Sequence, residues 1–247
     1  MSKAAKPTKG YGTLLVAADA AALAREASDH ILSWATETAT EVRIALSGGS
    51  TPRRTYQELA SPRLVGRFPW PRVHWFWGDE RFVSPDDAES NFRMVREAML
   101  DAAPVPPANI HPIPTVGVSI DAAAVAYEAE LKRAYGSATL DSSRPLFDVC
   151  LLGLGDDGHT ASLIPGEPVL HEQRRWVAAV AHGRPEARIT LTYPAINSSR
   201  HIAFLVSGES KRAMLRQVLA GGSSVPAAQL KPLGELVFLA DRAAAGA

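Results

Sequence analysis

The 247-residue sequence predicts an α/β fold: a three-layer, Rossmann-like arrangement in which a mostly parallel sheet carries helices on both faces. Three observations lead there. Short apolar runs alternate with segments whose apolar residues recur at helical spacing. The run Asp148 to Leu154 is apolar almost throughout, as expected of a central strand covered on both sides. The polar, glycine-rich motifs directly follow strands, and ligands of open parallel sheets bind beyond the carboxyl ends of strands.

Thr13 to Ala17 reads as the first strand. A helix to about Thr38 follows, with Asp19 as N-cap and Leu23, Ala27, Ile31 and Trp34 on one face. Val42 to Leu46 is the second strand, and Thr51 to Ala60 the next helix, with Pro52 in the first turn where no N–H is needed. Val73 to Trp77 is an aromatic strand whose Trp75 and Trp77 read as core. Asn91 to Leu100 is helical with Ser90 as N-cap. Pro104 to Pro114 is a loop with a short strand around Ile110 to Ile113. Ile120 to Tyr135 is a long helix stopped by Gly136. After the central strand come strands at Val177–Ala181, Ile189–Thr192, Ile202–Val206 and Leu236–Ala240, a helical turn at Pro194–Asn197, and a helix from Ser210 to Leu219. One domain over residues 11–243 is expected, preceded by a frayed N-terminus at 1–10.

Composition narrows the function. Lys plus Arg and Asp plus Glu number 26 each, so no global field draws the chain to nucleic acid or an anionic membrane. An anion must be held by a local cluster. The single cysteine, Cys150, sits in an apolar run and reads as a core thiol; alone it makes neither a disulfide nor a thiolate metal cluster. The basic N-terminus lacks the apolar stretch of a signal peptide, and no segment is apolar for long enough to span a bilayer, so a cytoplasmic location is expected.

Three motifs carry chemistry. Ser47-Gly48-Gly49-Ser50-Thr51-Pro52 joins a strand to a helix. Its glycines admit close backbone approach, and the helix N-terminus aims free N–H groups at an anion, best a phosphate. A tight turn before a capped helix is the plainer reading. Neither a Gly-Lys-Ser/Thr P-loop nor a dinucleotide GxGxxG is present. Gly78-Asp79-Glu80-Arg81 follows the aromatic strand: Asp79 and Arg81 suit a polyol and an anion, and Asn91 and Arg93 follow in a segment able to fold back over them. A surface ion pair is the alternative. Gly153-Leu154-Gly155-Asp156-Asp157-Gly158-His159-Thr160-Ala161-Ser162 follows the central strand, and three glycines within six residues bend it sharply. A carboxylate beside an imidazole fixes its tautomer and strengthens it as a base for water. Among seven histidines only His159 has this glycine frame, with Asp157 beside it.

Further cations are placed to close such a site. Arg188 precedes a strand, Lys211 and Arg212 open a helix, and Lys231 follows Ala227-Ala228-Gln229-Leu230. A solvated lysine is the alternative for Lys211. Ser90, Thr160 and Ser162 read as caps and turn formers, since no Gly-x-Ser-x-Gly elbow and no His-Glu-x-x-His zinc helix exists. A hydrolytic reaction would therefore use activated water.

These motifs, in this order, resemble the 6-phosphogluconolactonase family over roughly Leu14 to Asp241; Arg188-Ile189-Thr190-Leu191-Thr192 belongs to the same pattern. Ile164 stands where Phe is common in the family, a mild apolar change. The resemblance implies the fold shared with glucosamine-6-phosphate and ribose-5-phosphate isomerases. Deaminases of that superfamily usually follow the motif histidine with Ile-Ala-Phe-Asn-Glu-Pro, where this chain has Thr160-Ala161-Ser162-Leu163-Ile164-Pro165, and carry Asp-Glu-Tyr where it has Asp79-Glu80-Arg81. Both departures favour the lactonase over a deaminase. A silent sugar-phosphate sensor is a third possibility, disfavoured by the intact Asp157-Gly158-His159.

The resemblance implies hydrolysis of 6-phospho-D-glucono-1,5-lactone to 6-phosphogluconate, in the oxidative pentose phosphate pathway. His159 would be the general base, oriented by Asp157. Substrate contacts are expected from Ser47, Gly48, Gly49, Ser50, Thr51, Asp79, Arg81, Asn91, Gly158, Arg188 and Lys211. No metal and no organic cofactor is expected. The expected partner is a small sugar phosphate, with no nucleic acid or membrane, and the chain as a monomer with a dimer left open.

Overall fold

Seven parallel strands form the central sheet, in the order β1-β10-β9-β6-β2-β3-β5. They are β1 (Thr13–Ala17), β2 (Val42–Leu46), β3 (Val73–Trp77), β5 (Ile110–His111), β6 (Phe147–Leu152), β9 (Ser199–Val206) and β10 (Glu235–Asp241). The computed structural model describes residues 11–247, so the expected frayed segment 1–10 lies outside it. β6 is the fourth of the seven strands and every residue of it is buried, as its unbroken apolar pattern requires. Trp75 and Trp77 are core residues, and Cys150 is a buried free thiol.

The helices are α1 (Ala20–Thr36), α2 (Ser50–Leu59), α3 (Asn91–Val95), α4 (Ile120–Tyr135), α5 (Tyr193–Asn197), α6 (Arg212–Leu219) and α7 (Arg242–Ala245). Asp19 caps α1 by accepting from the amides of Ala21 and Ala22, and Leu23, Ala27, Ile31 and Trp34 are buried along its inner face. Gly136 ends α4 in the left-handed conformation at φ 74°. None of the described helices is long and apolar enough to cross a membrane.

Strand order fixes the site. The connections β1-α1-β2, β2-α2-β3 and β3-α3-β5 all step one way across the sheet, whereas β5-α4-β6, β6 to β9 and β9-α6-β10 step back. Right-handed crossovers then put α1 to α3 on one face and α4 to α6 on the other. The direction reverses between neighbouring β2 and β6, and a crevice opens outside their carboxyl ends.

The structure corrects several expectations. Residues 177–180 and 188–191 are strands, β7 (Val177–Val180) and β8 (Arg188–Leu191), yet neither joins the parallel sheet. With β4 (Asp79–Arg81), unrecognised in the sequence because it has no apolar alternation, they form a separate antiparallel sheet. Gly78 is the joint: its N–H donates to Leu46 O in the large sheet and its carbonyl accepts from Leu191 N in the small one, both at 2.8 Å. The expected helix from Asn91 to Leu100 changes to a π-turn over Arg96–Leu100, and the one from Ser210 begins as a 3₁₀ turn over Glu209–Lys211.

Candidate active site

Two buried tyrosines set the strand ends from which the site loops spring. Tyr56 of α2 receives the Ser47 N–H at 2.9 Å and donates to the Ser47 carbonyl at 2.8 Å. Tyr127 of α4 does the same for Trp77, at 2.7 and 2.9 Å. Each hydroxyl acts as one more ladder partner, so β2 and β3 end at fixed points against helices on opposite faces. Beyond Ser47 the chain turns at Gly49 (φ 105°) into α2, whose N-cap has no side-chain hydrogen bond. The first-turn amides of Ser50 and Thr51 have no hydrogen-bond partner among the described residues, and both residues line the cleft.

The loop after β6 builds a dyad. His159 Nδ1 lies 2.5 Å from Asp157 Oδ1, and the His159 N–H donates to the same oxygen at 3.1 Å. The carboxylate accepts, so Nδ1 carries the proton and Nε2 is left as the basic nitrogen. Glycines make room for this. The Gly155 N–H donates to the His159 carbonyl at 2.9 Å, and a Cβ on Gly155 would overlap the imidazole and sit 2.8 Å from Asp157 Oδ1. Gly158 adopts φ 79°, and a Cβ there would lie 2.5 Å from Val225 Cβ. Burial alone would raise the Asp157 carboxyl, but hydrogen bonds from His159 and from Arg184, the latter at 2.5 Å, hold it well below the usual carboxylate range.

Facing the dyad is a paired cation site. Arg81 and Arg188 are direct cross-strand partners in β4 and β8. Like charges opposite one another destabilise a sheet, and the Nε of each is buried without a partner. Burial pushes the Arg188 guanidinium below its ordinary value and neighbouring Arg81 adds to this, against an opposing pull from Asp79. Two half-buried guanidiniums with spare donors are built for an anion carrying several oxygens. Lys211 reaches the same cleft, held by Asp156 at 2.7 Å.

The cleft floor is fixed by buried carboxylates. Asp79 accepts from Ser162 Oγ at 2.7 Å, and Asn91 Nδ2 donates to the Asp79 carbonyl at 2.9 Å. Asn91 in turn packs on Gly48, where a side chain would displace it. Glu80 accepts from the amides of Arg81, Asn91 and Phe92 and from Ser90 Oγ, locking the start of α3 against β4. Burial pushes its carboxyl up, against these hydrogen bonds.

The cleft has a volume of about 250 Å³. Ser47, Gly48, Gly49, Ser50, Thr51, Asp79, Arg81, Asn91, His159, Arg188 and Lys211 all line it, from loops after β2, β3, β6 and β9 and from the small sheet. Asp157 stands behind His159. Gly158 is not on the wall: it shapes the turn, its N–H donating to Gly155 O and its carbonyl accepting from Ala227 N. Arg93 turns away to Glu97 and Asp86, and Lys231 does not reach the cleft. Ser90 caps α3, and Thr160 donates to the Gly153 carbonyl. Sequence reasoning missed Arg184, at the tip of the β7–β8 hairpin; its one signal is a cation between turn residues Gly183 and Pro185 in a loop between two strands. Among the described residues no group of three or more His, Cys, Asp or Glu side chains is gathered as a metal site would need.

Residues 18–238 match the family model described as glucosamine-6-phosphate isomerases/6-phosphogluconolactonase. The chain belongs to this family. A 6-phosphogluconolactonase from Nostoc sp. is 44% identical over 207 residues, 83% of each chain. One from Mycobacterium tuberculosis is 39% identical over 210 residues, 82% of this chain and 83% of that protein. Among solved structures, a 6-phosphogluconolactonase from Trypanosoma cruzi superposes with a TM-score of 0.83 at 28% identity, covering 95% of this chain and 96% of that one. A monomeric glucosamine-6-phosphate deaminase shares the fold, at a TM-score of 0.80 and 22% identity.

Proposed function

We propose that the chain hydrolyses 6-phosphogluconolactone to 6-phosphogluconate, with His159 as general base. One observation carries the reading: a histidine with a fixed tautomer and a half-buried arginine pair with spare donors line the same cleft at the sheet's switch point. The curated relatives named as lactonases, similar over four-fifths of the chain, support the substrate class.

The phosphate is gripped by Arg81 and Arg188, with Lys211 and the α2 amides in reach of the sugar acid. Each charge-assisted hydrogen bond contributes about 1.5–3 kcal/mol, so two or three select the phosphorylated lactone over the plain one. Nε2 of His159 takes a proton from water as its oxygen attacks the lactone carbonyl. The N–H groups of Ser50 and Thr51, or Lys211, stabilise the tetrahedral oxyanion. As the ring C–O bond breaks, the imidazolium returns its proton to the departing ring oxygen, and a free acid and hydroxyl remain. Asp157 holds the ring and balances the transient positive charge. General-base assistance of this kind is worth about 10²–10⁴-fold. No step in this scheme draws on a metal or an organic cofactor.

The test is a parallel assay. Purified protein is mixed with fresh 6-phosphogluconolactone, with EDTA present, and separately with glucosamine 6-phosphate. Lactone loss well above the spontaneous rate, with no ammonia release from the amino sugar, is expected. Ammonia release without lactone loss would mean a deaminase, and silence on both a sensor.

A further inference from the structure

We propose that Arg184 is a positioning residue of the catalytic dyad, which grips the outer oxygen of Asp157 and sets a positive charge 3.0 Å from the His159 ring, opposing the pull of the carboxylate on that ring. This rests on the general-base role of His159 above.

The geometry is specific. Arg184 sits in the turn between β7 and β8, outside every motif around the cleft. Its Nη1 donates to the neighbouring Gly183 carbonyl at 2.8 Å, which orients the guanidinium. Gly183 has φ 81°, and a Cβ there would meet Glu167 Oε1 at 2.9 Å, so the hairpin tip lies directly on the loop that carries the dyad. Nη2 then reaches Asp157 Oδ2 at 2.5 Å and stands 3.0 Å from His159 Nδ1. The two carboxylate oxygens are thereby divided: Oδ1 faces the imidazole and Oδ2 the guanidinium. The ring and the His159 N–H both hold Oδ1 and would leave the carboxylate free to turn about that oxygen, whereas the opposed bond from Arg184 to Oδ2 fixes its plane and with it the ring.

The contact between Nη2 and Nδ1 has a second consequence. Nδ1 already donates its proton to Asp157 and has no lone pair for an arginine N–H. At 3.0 Å the two nitrogens are therefore a charge contact, not a hydrogen bond. A carboxylate at hydrogen-bond distance favours the imidazolium, which cannot accept a proton from water. A guanidinium at similar distance opposes that effect while leaving the orienting bond intact. Arg184 thus separates the two actions of Asp157, keeping its control of tautomer and cancelling part of its charge. Other charged groups near the dyad include Arg81, Arg188, Asp79 and the Lys211–Asp156 pair of the cleft, with Glu167 beside Gly183 and Glu186 beside Arg188 on the flanking loops.

Arg184→Gln and Arg184→Lys test this. The Gln variant keeps polarity and removes the charge; the Lys variant keeps the charge. Two readouts are taken in each: the pH dependence of kcat/KM for 6-phosphogluconolactone, and the NMR titration of the His159 ring in the free protein. Arg184→Gln is expected to move the acid limb and the ring titration upward together, as removal of a neighbouring cation does. KM should change by less than about threefold. Arg184→Lys should keep both midpoints near wild type, with a lower kcat from the altered grip on Asp157. A folded Gln variant with unshifted midpoints would overturn the proposal, and so would a large rise in KM as its main effect, which would make Arg184 a substrate-phosphate contact. Should wild type fail to hydrolyse the lactone, the functional reading falls, while the NMR titration still decides whether Arg184 sets the charge of the ring.

Discussion

Replacing Gly155 by alanine places a methyl group where the imidazole of His159 now lies. The new Cβ would overlap Nδ1 and Cε1 of the ring and stand 2.8 Å from Asp157 Oδ1. Gly155 is not among the glycines with positive φ, so alanine fits its backbone without strain. The three nearest atoms all belong to side chains, and the His159 side chain is 26% exposed, leaving it a direction in which to swing. Relief of the overlap requires a ring displacement on the order of 1 Å or more. Folding stability should therefore fall by about 1–3 kcal/mol, the usual range for overpacking. Catalysis should suffer far more, because a misplacement of about 1 Å costs about 10²-fold and loss of the base up to about 10⁴-fold. That corresponds to about 2.7–5.5 kcal/mol in the barrier. The assay is lactone loss above the spontaneous rate, with Tm measured on the same preparation. A folded Gly155→Ala protein turning over within about threefold of wild type would refute the idea that this glycine exists to seat the dyad.

Other perturbations probe other parts of the cleft. Arg188→Ala removes one of two paired guanidiniums and should raise KM for the lactone far more than it lowers kcat, as loss of binding shared by ground and transition states does; an unchanged KM would take Arg188 out of the phosphate site. Cys150 is buried in β6 and burial pushes its thiol up to about 12, so thiol-modifying reagents should leave the activity of the folded enzyme unchanged. Inhibition that tracks labelling of Cys150 would contradict this.

Much of the frame was legible because its signals are local. The apolar run of β6, the Asp19 and Ser90 caps and the Gly136 stop depend on residues a few positions apart, and all three motifs could be placed at strand ends by pattern alone. What escaped depends on pairing across long stretches of chain. Asp79-Glu80-Arg81 carries no strand pattern; it becomes β4 because Gly78 hands the chain from one sheet to the other and β8 offers a partner. The juxtaposition of Arg81 with Arg188 is a matter of register, which neither residue signals alone. Arg184 and Asp157 are 27 residues apart, and only the folded β7–β8 hairpin brings them together. The positive φ of Gly158 and its close approach to Val225 likewise depend on a segment far along the chain, which its own neighbours do not signal. Chemistry-bearing residues were readable, and so was Asp157 beside His159, whereas the distant group that holds the pair, Arg184, was not.

Turnover of His159→Ala, measured with 6-phosphogluconolactone alongside its affinity for 6-phosphogluconate, bears most directly on general-base hydrolysis in this cleft. Loss of about 10²–10⁴-fold in kcat with product affinity retained is the expected result. Near-wild-type turnover in the folded variant would mean that water is activated by another group and that His159 is not the base.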